Sequence, residues 1–257
     1  MVLEGGPAHV WAVAFHPDGK HLFDGTRHGI RRWRVADGQE VGKQTGMDLN
    51  VIAVSSDHKW VVCGTTEGAS VWDAEIREKV VEVEGGERVY AVDVTPDCAG
   101  FATGTSGKAN IWNITTGERL LGPLEHDGDV GGVKFSSDGG RIATACSRDS
   151  SIRIFDSDSG DLFISIENQM PASFLPIAWS ADSQRLFTIS TDYGPRIKSF
   201  GSSTGSQLAQ WQIHESNDLM SIALSANGKF IAASAGCFVS FWDTSTYTQL
   251  GIVEDSN

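Results

Sequence analysis

An aromatic residue ends a short apolar run at Trp33, Trp72, Trp112, Phe155, Phe200 and Trp242, at intervals of 39–45 residues. A period of that length marks a repeat architecture, in which one supersecondary unit buries its apolar faces only against copies of itself. Residues 124–160 hold the clearest copy. A polar turn with Glu125 and His126 leads into the run Val130, Val133, Phe135. Ser137-Asp138-Gly139-Gly140 turns the chain into a small-residue run at 142–146. Ser147-Arg148-Asp149-Ser150 turns it again, and Ile152-Arg153-Ile154-Phe155 closes on Asp156. Runs of five or six residues, rich in β-branched side chains and cut by Gly, Asp and Ser, are too short for helices and suit strands.

Further features keep the same order along the chain. The middle turn recurs as Pro17-Asp18-Gly19, Ser56-Asp57-His58, Pro96-Asp97-Cys98, Ser137-Asp138-Gly139, Ala181-Asp182-Ser183 and Ala226-Asn227-Gly228. The first run recurs at 10–15, 49–54, 89–94, 130–135, 174–179 and 219–224. A fourth run follows each aromatic near 39–45, 79–84, 119–124, 162–167, 208–213 and 249–254. Four antiparallel strands make a sheet whose inner strands are apolar on both faces: Ala12 and Ala14 on one, Val13 and Phe15 on the other. Such a sheet needs a neighbour on each face, and stacking like sheets about an axis supplies them while leaving only short, protected edges. The units read as 5–46, 47–85, 86–125, 126–168, 169–214 and 215–257 within a single domain, 1–257.

These residues resemble the WD40 repeat family of β-propellers over essentially the whole chain. Trp72-Asp73 and Trp242-Asp243 carry the family dipeptide, Trp112-Asn113 and Phe155-Asp156 are one step from it, and Trp33-Arg34 and Phe200-Gly201 are degenerate. The family's Gly-His signature survives only as Glu125-His126, with Gly5-Gly6 and Gly85-Gly86 at that place in units one and three. The resemblance implies an all-β propeller of six four-stranded antiparallel blades. It also implies a hydrogen-bonded network tying each blade, which only unit four nearly keeps: His126, Thr144 or Ser147, and Asp149, with Phe155 in place of the Trp. The other units are expected to rest mainly on apolar packing and to be less stable than regular family members.

Family rings usually close with the N-terminus supplying the last outer strand. Here 249–254 already provides one, while 1–6 resembles the tail of an outer strand. A fragment of a longer repeat array is the favoured expectation, with a six-blade ring lacking strand exchange as the alternative.

The net charge of −13 argues against a nucleic-acid groove or an anionic membrane surface as partner, since both select basic patches. No apolar run approaches the ~18 residues of a membrane span, and the start Met1-Val2-Leu3-Glu4 has neither a basic segment nor an apolar leader. The four cysteines, Cys63, Cys98, Cys146 and Cys237, have no Cys-x-x-Cys spacing. They read as free thiols in a reducing, cytoplasmic compartment. Asn113-Ile114-Thr115 matches a glycosylation sequon but follows no leader.

No catalytic set assembles. Gly201-Ser202-Ser203-Thr204-Gly205 matches the nucleophile pattern G-x-S-x-G, which has meaning only between a strand and a helix. Here it sits in the turn after a third strand. Gly107-Lys108 lacks the remainder of a phosphate loop, and the seven His are scattered. We therefore expect no enzyme, no cofactor and no metal, but a scaffold or recognition domain for a protein or peptide ligand, or for other domains of a larger parent chain. The family resemblance places the docking face on the loops before the first strands. By position these carry His9, Trp11, Asp48, Asn50, Arg88, Tyr90, Asp129, Ser173, Asp218 and Met220. The loop at 168–176 and the turn at 191–196 are longer than their counterparts and give unit five a distinctive surface. Two other classes stay open. A small-molecule or carbohydrate-binding propeller would need repeated polar-aromatic pockets. A propeller hydrolase would need His9, Asp48, Asp129 and Asp218 to converge on the channel.

Overall fold

The computed structural model describes residues 10–16, 18–26, 28–41, 49–75, 78–146, 148, 150–167, 176–190, 194–213, 220–225, 227–235 and 238–254. All named elements are strands, and neighbours pair antiparallel. The first sheet holds β1 (Val10–Phe15), β2 (His21–Thr26) and β3 (Gly29–Arg34). The second holds β4 (Leu49–Val54), β5 (Trp60–Thr65), β6 (Gly68–Asp73) and β7 (Lys79–Glu84). The third runs in order through β8 (Ala91–Val94), β9 (Gly100–Asn113), β10 (Arg119–Phe135), β11 (Arg141–Cys146), β12 (Ser151–Asp156) and β13 (Leu162–Glu167). The fourth holds β14 (Ile177–Trp179), β15 (Arg185–Ser190), β16 (Arg196–Gly201) and β17 (Gln207–Gln212). The fifth holds β18 (Met220–Leu224), β19 (Phe230–Ala235), β20 (Phe238–Asp243) and β21 (Gln249–Glu254).

This is the all-β architecture of propeller blades, but with five blades where six were expected. The third and fourth repeats share one six-stranded sheet because β9 and β10 each run through a connection without a break in strand pairing. A two-residue turn at Ser106-Gly107, with Gly107 at φ 77°, joins the middle and third strands of the third repeat into the continuous β9. Residues 125–129 stay extended as well, so β10 serves as outer strand of one repeat and first strand of the next. His126, buried in that segment, has Nε2 2.7 Å from Thr144 Oγ1 on β11. The first sheet shows three strands. Its expected fourth, 39–45, appears only as the bridge Trp33–Glu40, and 42–48 fall outside the described residues. By backbone contacts the chain divides into two compact units, Met1–Glu125 and His126–Asn257.

Residues directly opposite one another on paired strands share a face, and the register assigns every core residue by that rule. In each sheet one face carries the repeat's aromatic; we call it the aromatic face, and its opposite the reverse face. Within the first unit, Ala12, Ala14, Phe23 and Ile30 on the reverse face of the first sheet pack against Leu49, Ile52, Val61, Cys63 and Trp72 on the aromatic face of the second. Val62, Val71 and Val81 on the second sheet's reverse face meet Val92, Phe101 and Trp112. Within the second unit, Ala143, Ala145, Ile152 and Ile154 meet Trp179, Leu186 and Phe200. Phe187, Ile189, Ile197 and Trp211 meet Ile222, Ile231 and Trp242. Each buried aliphatic or aromatic side chain contributes roughly 1.5–3 kcal/mol, so these four interfaces dominate the stability.

The middle turns explain their own sequence. Residues 19, 58, 98, 139, 183 and 228 all have positive φ, between 58° and 78°. Gly takes that conformation without cost at three of them. Two of the others hook the preceding repeat: Ser183 Oγ accepts Asp138 N–H at 3.1 Å, and Cys98 Sγ lies 3.2 Å from Ser56 Oγ. Four of the turns are also held by a hydroxyl–carboxylate clasp. Ser136 donates to Asp138 at 2.6 Å and accepts Arg141 N–H at 3.0 Å, and Ser55–Asp57, Thr95–Asp97 and Ser180–Asp182 repeat the pattern. The hydroxyls of Ser136, Thr95 and Ser180 hold Asp138, Asp97 and Asp182 below the usual carboxylate range. At Asp57 burial pushes the other way, but the Ser55 bond and its companions outweigh it.

In the first three repeats the polar tie is rebuilt rather than lost. In the first sheet Arg31, 2% exposed, donates to both oxygens of Asp24 at 2.8 and 2.6 Å, and Trp33 Nε1 donates to the same carboxylate at 2.9 Å. Trp72 Nε1 donates to Ser70 and Trp112 Nε1 to Thr103, both at 2.9 Å. Phe155 and Phe200 carry no N–H to satisfy. Only at Trp242, where Ala233 occupies the position of Thr103, does the indole N–H lack a partner among the described residues. The expectation that these units rest mainly on apolar packing is thus supplemented in the first three by a polar tie to the aromatic.

Asp24→Ala strands a buried guanidinium and an indole N–H together. It is expected to cost about 3–5 kcal/mol, read as a fall in the urea midpoint. A carboxyl depressed below its unfolded pKa of about 3.9 stabilises the fold at neutral pH, a contribution lost as the pH falls through 4. The melting temperature is therefore expected to hold from pH 7 to about 5 and drop below about 4. The Asp138→Asn/Asp182→Asn variant should start lower at pH 7 and show a shallower acid limb.

Candidate functional site

The expected docking positions coincide with irregularities in the first strands. The register between first and middle strands skips one residue in three sheets, passing over Trp11, Asn50 and Gly131. A bulge of this kind leaves its extra residue unpaired and re-aims the side chain. At Asn50 the result is a small cluster. Its carboxamide oxygen accepts from Arg88 Nη2 at 3.3 Å, and the Arg88 guanidinium carbon lies 5.6 Å from the centre of the Tyr90 ring. Val89 between them is buried and donates its N–H to Thr65 O at 2.9 Å, which fixes Arg88 and Tyr90 on either side of an anchored backbone. Arg88 is exposed and Tyr90 half-buried. Asn50 Nδ2 is buried with no hydrogen-bond partner among the described residues. The cluster therefore presents an exposed guanidinium beside an aromatic ring.

The remaining expected residues are less informative. Asp129 is exposed on β10. Met220 opens β18, but its side chain, like that of Trp11, falls outside the described set, as do His9, Asp48, Ser173 and Asp218 altogether. So do residues 168–175 and 191–193 of the two long connections. Of the blade network, His126 and Thr144 meet at 2.7 Å and the His126 ring stands edge-on to Phe155 with centres 6.2 Å apart; Ser147 and Asp149 lie outside the described residues.

Gly201–Gly205 is a turn between β16 and β17, closed by Gly205 N–H to Gly201 O at 2.8 Å. Ser202 Oγ donates to Ser183 O at 2.8 Å, and no helix follows. Cys63, Cys98 and Cys146 are free and buried, and burial pushes the Cys63 thiol up; Cys237 lies outside the described residues. No helix among the described residues is long and apolar enough to cross a membrane.

One group escaped the sequence reading. His16, Asp18 and His21 bring their ligand atoms within 4.8 Å of one another, a spacing that could hold a metal ion. The geometry favours a structural role. His16 occupies the place that Ser55, Thr95, Ser136 and Ser180 hold in the later turns, with its Nδ1 3.0 Å from Asp18 Oδ2. The Asp18 Oδ1 accepts the N–H groups of Lys20 and His21, and Arg32 Nη2 sits 3.1 Å from His21 Nδ1, where its charge repels a cation. Burial opposes ionisation of Asp18, but the His21 contact and these backbone bonds hold its carboxyl well below the usual range.

Three stretches, residues 2–33, 119–156 and 205–243, match the family model described as WD domain, G-beta repeat. The last two begin on or just before the outer strand of one repeat and end on the third strand of the next, so the sequence repeat straddles successive blades. Among curated relatives, Periodic tryptophan protein 2 homolog of Dictyostelium discoideum is 23% identical over 255 residues, covering 81% of this chain and 28% of that protein. WD repeat and SOCS box-containing protein 1 of Danio rerio is 25% identical over 175 residues, covering 59% and 40%. Guanine nucleotide-binding protein subunit beta of Arabidopsis thaliana is 26% identical over 172 residues, covering 62% and 46%. The chain spans less than half the length of these relatives. The chain thus carries matches to the WD40 repeat at three places, and WD repeat proteins are among its relatives.

Proposed function

We propose that the chain is a non-catalytic recognition module that binds a protein or peptide through the Asn50, Arg88 and Tyr90 cluster. WD40 propellers generally serve as protein-interaction scaffolds, and the cluster supports that use at one defined place. Arg and Tyr are enriched among residues that dominate interface energy. An exposed guanidinium next to an aromatic ring suits a ligand bearing a carboxylate beside an apolar group. The net charge of −13 disfavours nucleic acid and anionic membranes. Buried free thiols suit a reducing, cytoplasmic setting. Other domains of a larger parent chain form a second partner class, as the name of the SOCS box-containing relative suggests by analogy.

The test is selection of peptides from a random display library, followed by titration of the selected peptides against wild type, Arg88→Ala and Tyr90→Ala. Each substitution is expected to weaken binding by about tenfold or more. Selected peptides that bind the double variant as tightly as wild type would reject this surface.

A further inference from the structure

The second and third sheets pack through Val62, Val71 and Val81 against Val92, Phe101 and Trp112. Where β7 faces β9 that packing gives way to a groove of about 180 Å³, with Ala69, Val83, Val89 and Trp112 as its apolar walls. Its whole lining lies within one compact unit, Met1–Glu125.

Small residues make the room. Two positions before the repeat's aromatic, on the same face, Arg31 fills the first sheet and Lys198 the fourth, both buried; the third sheet has the shorter Asn110 there. On the opposite wall Gly68 and Gly85 carry no side chain into the gap.

The polar groups of the walls are already committed to the fold. Thr103 Oγ1 accepts Trp112 Nε1–H at 2.9 Å, and Thr105 Oγ1 donates to Lys108 O at 3.4 Å. Asn110 Oδ1 is buried over Gly122, where a β-carbon would come within 2.6 Å of it. The interior therefore offers a guest apolar contact, in a volume suited to one side chain. Charge gathers at the mouth instead. Lys108 and the exposed Arg119 stand there with a single acid, Glu87, whose Oε1 lies 3.1 Å from Lys108 Nζ. In a chain of 33 acidic and 20 basic residues, this lining carries a local excess of positive charge.

We propose that this groove seats one apolar side chain of an acidic peptide whose carboxylates pair with Lys108 and Arg119. The inference rests on the reading of the chain as a peptide-binding module and names the ligand's chemistry: acidic residues around an aliphatic or aromatic anchor. A buried apolar anchor within a polar rim is the arrangement that concentrates binding energy in few residues. One stretch of backbone serves both places, since Glu87 and Val89 line the groove while Arg88 and Tyr90 form the cluster beside it. The rim pairs are exposed, so affinity is expected to fall as salt rises.

Peptides selected on the purified chain from a random display library test this, by titration against wild type, Gly85→Phe, the charge reversal Lys108→Glu/Arg119→Glu, and Arg88→Ala. A β-carbon at Gly85 meets nothing nearer than Glu87 N at 3.9 Å, so Phe there fills the groove without displacing backbone, and an unchanged melting temperature checks the fold. The selected peptides are expected to share acidic residues around one apolar position. Gly85→Phe and the charge reversal should each weaken binding by about tenfold or more. Replacing the apolar peptide residue by Ala should cost as much on wild type and nothing further on Gly85→Phe. Peptides that lose affinity with Arg88→Ala, yet bind Gly85→Phe and the charge reversal like wild type, would overturn the groove and leave the Asn50, Arg88 and Tyr90 cluster standing. Peptides insensitive to Arg88→Ala but lost on Gly85→Phe would support the groove and remove the cluster. Selection of no peptide, or of peptides indifferent to all three variants, would overturn both.

Discussion

The structure depends on one constraint: each sheet has two apolar faces, and a face left bare costs what its burial would return. At roughly 25 cal/mol per Å² of apolar surface, no blade of this size is stable alone. Blades must be neighbours, and the register decides which face meets which. Within each unit the aromatic face of a sheet lies on the reverse face of the one before it, as Phe23 and Ile30 against Ile52 and Val61 show in the first unit, and Phe187 and Ile197 against Ile231 and Trp242 in the second. A one-residue slip would exchange the two faces. The recurrent turns prevent that slip by fixing a positive-φ residue at the same place in every repeat, with a hydroxyl–carboxylate clasp beside it in four of them.

Much of this is legible in the residues. The strands β7, β13 and β21 fall where the fourth runs were expected, because alternating short runs bounded by Gly- and Asp-bearing turns admit little else. Asp18, Asp57, Asp97, Asp138 and Asp182 announce their turns by residue type alone. The count of blades was not legible. Repeats are counted by motif, sheets by unbroken hydrogen bonding, and at 125–129 the chain stays extended through what a motif count treats as a boundary.

The polar ties were read only where they follow the family pattern. Asp24 and Arg31 face each other across β2 and β3, a pairing invisible without the register. His16 was overlooked because it substitutes for a hydroxyl in a turn rather than appearing in a ligand motif. The Asn50, Arg88 and Tyr90 cluster was half legible. Position alone selected the residues, but the bulge that turns Asn50 toward Arg88 depends on pairing between β4 and β5. The proposed site and the scaffold meet there: the buried Val89 that anchors Arg88 and Tyr90 is also part of the core between the second and third sheets.

The central claim is that aromatic face packs on reverse face, and one contact reports on it directly. Trp211 on the reverse face of the fourth sheet and Trp242 on the aromatic face of the fifth have ring centres 6.2 Å apart. A double-mutant cycle with Trp211→Leu and Trp242→Leu, read by urea denaturation, should yield a coupling energy of about 0.5–1.5 kcal/mol. Strict additivity of the two substitutions, to within about 0.3 kcal/mol, would contradict the packing rule from which the rest of the account is built.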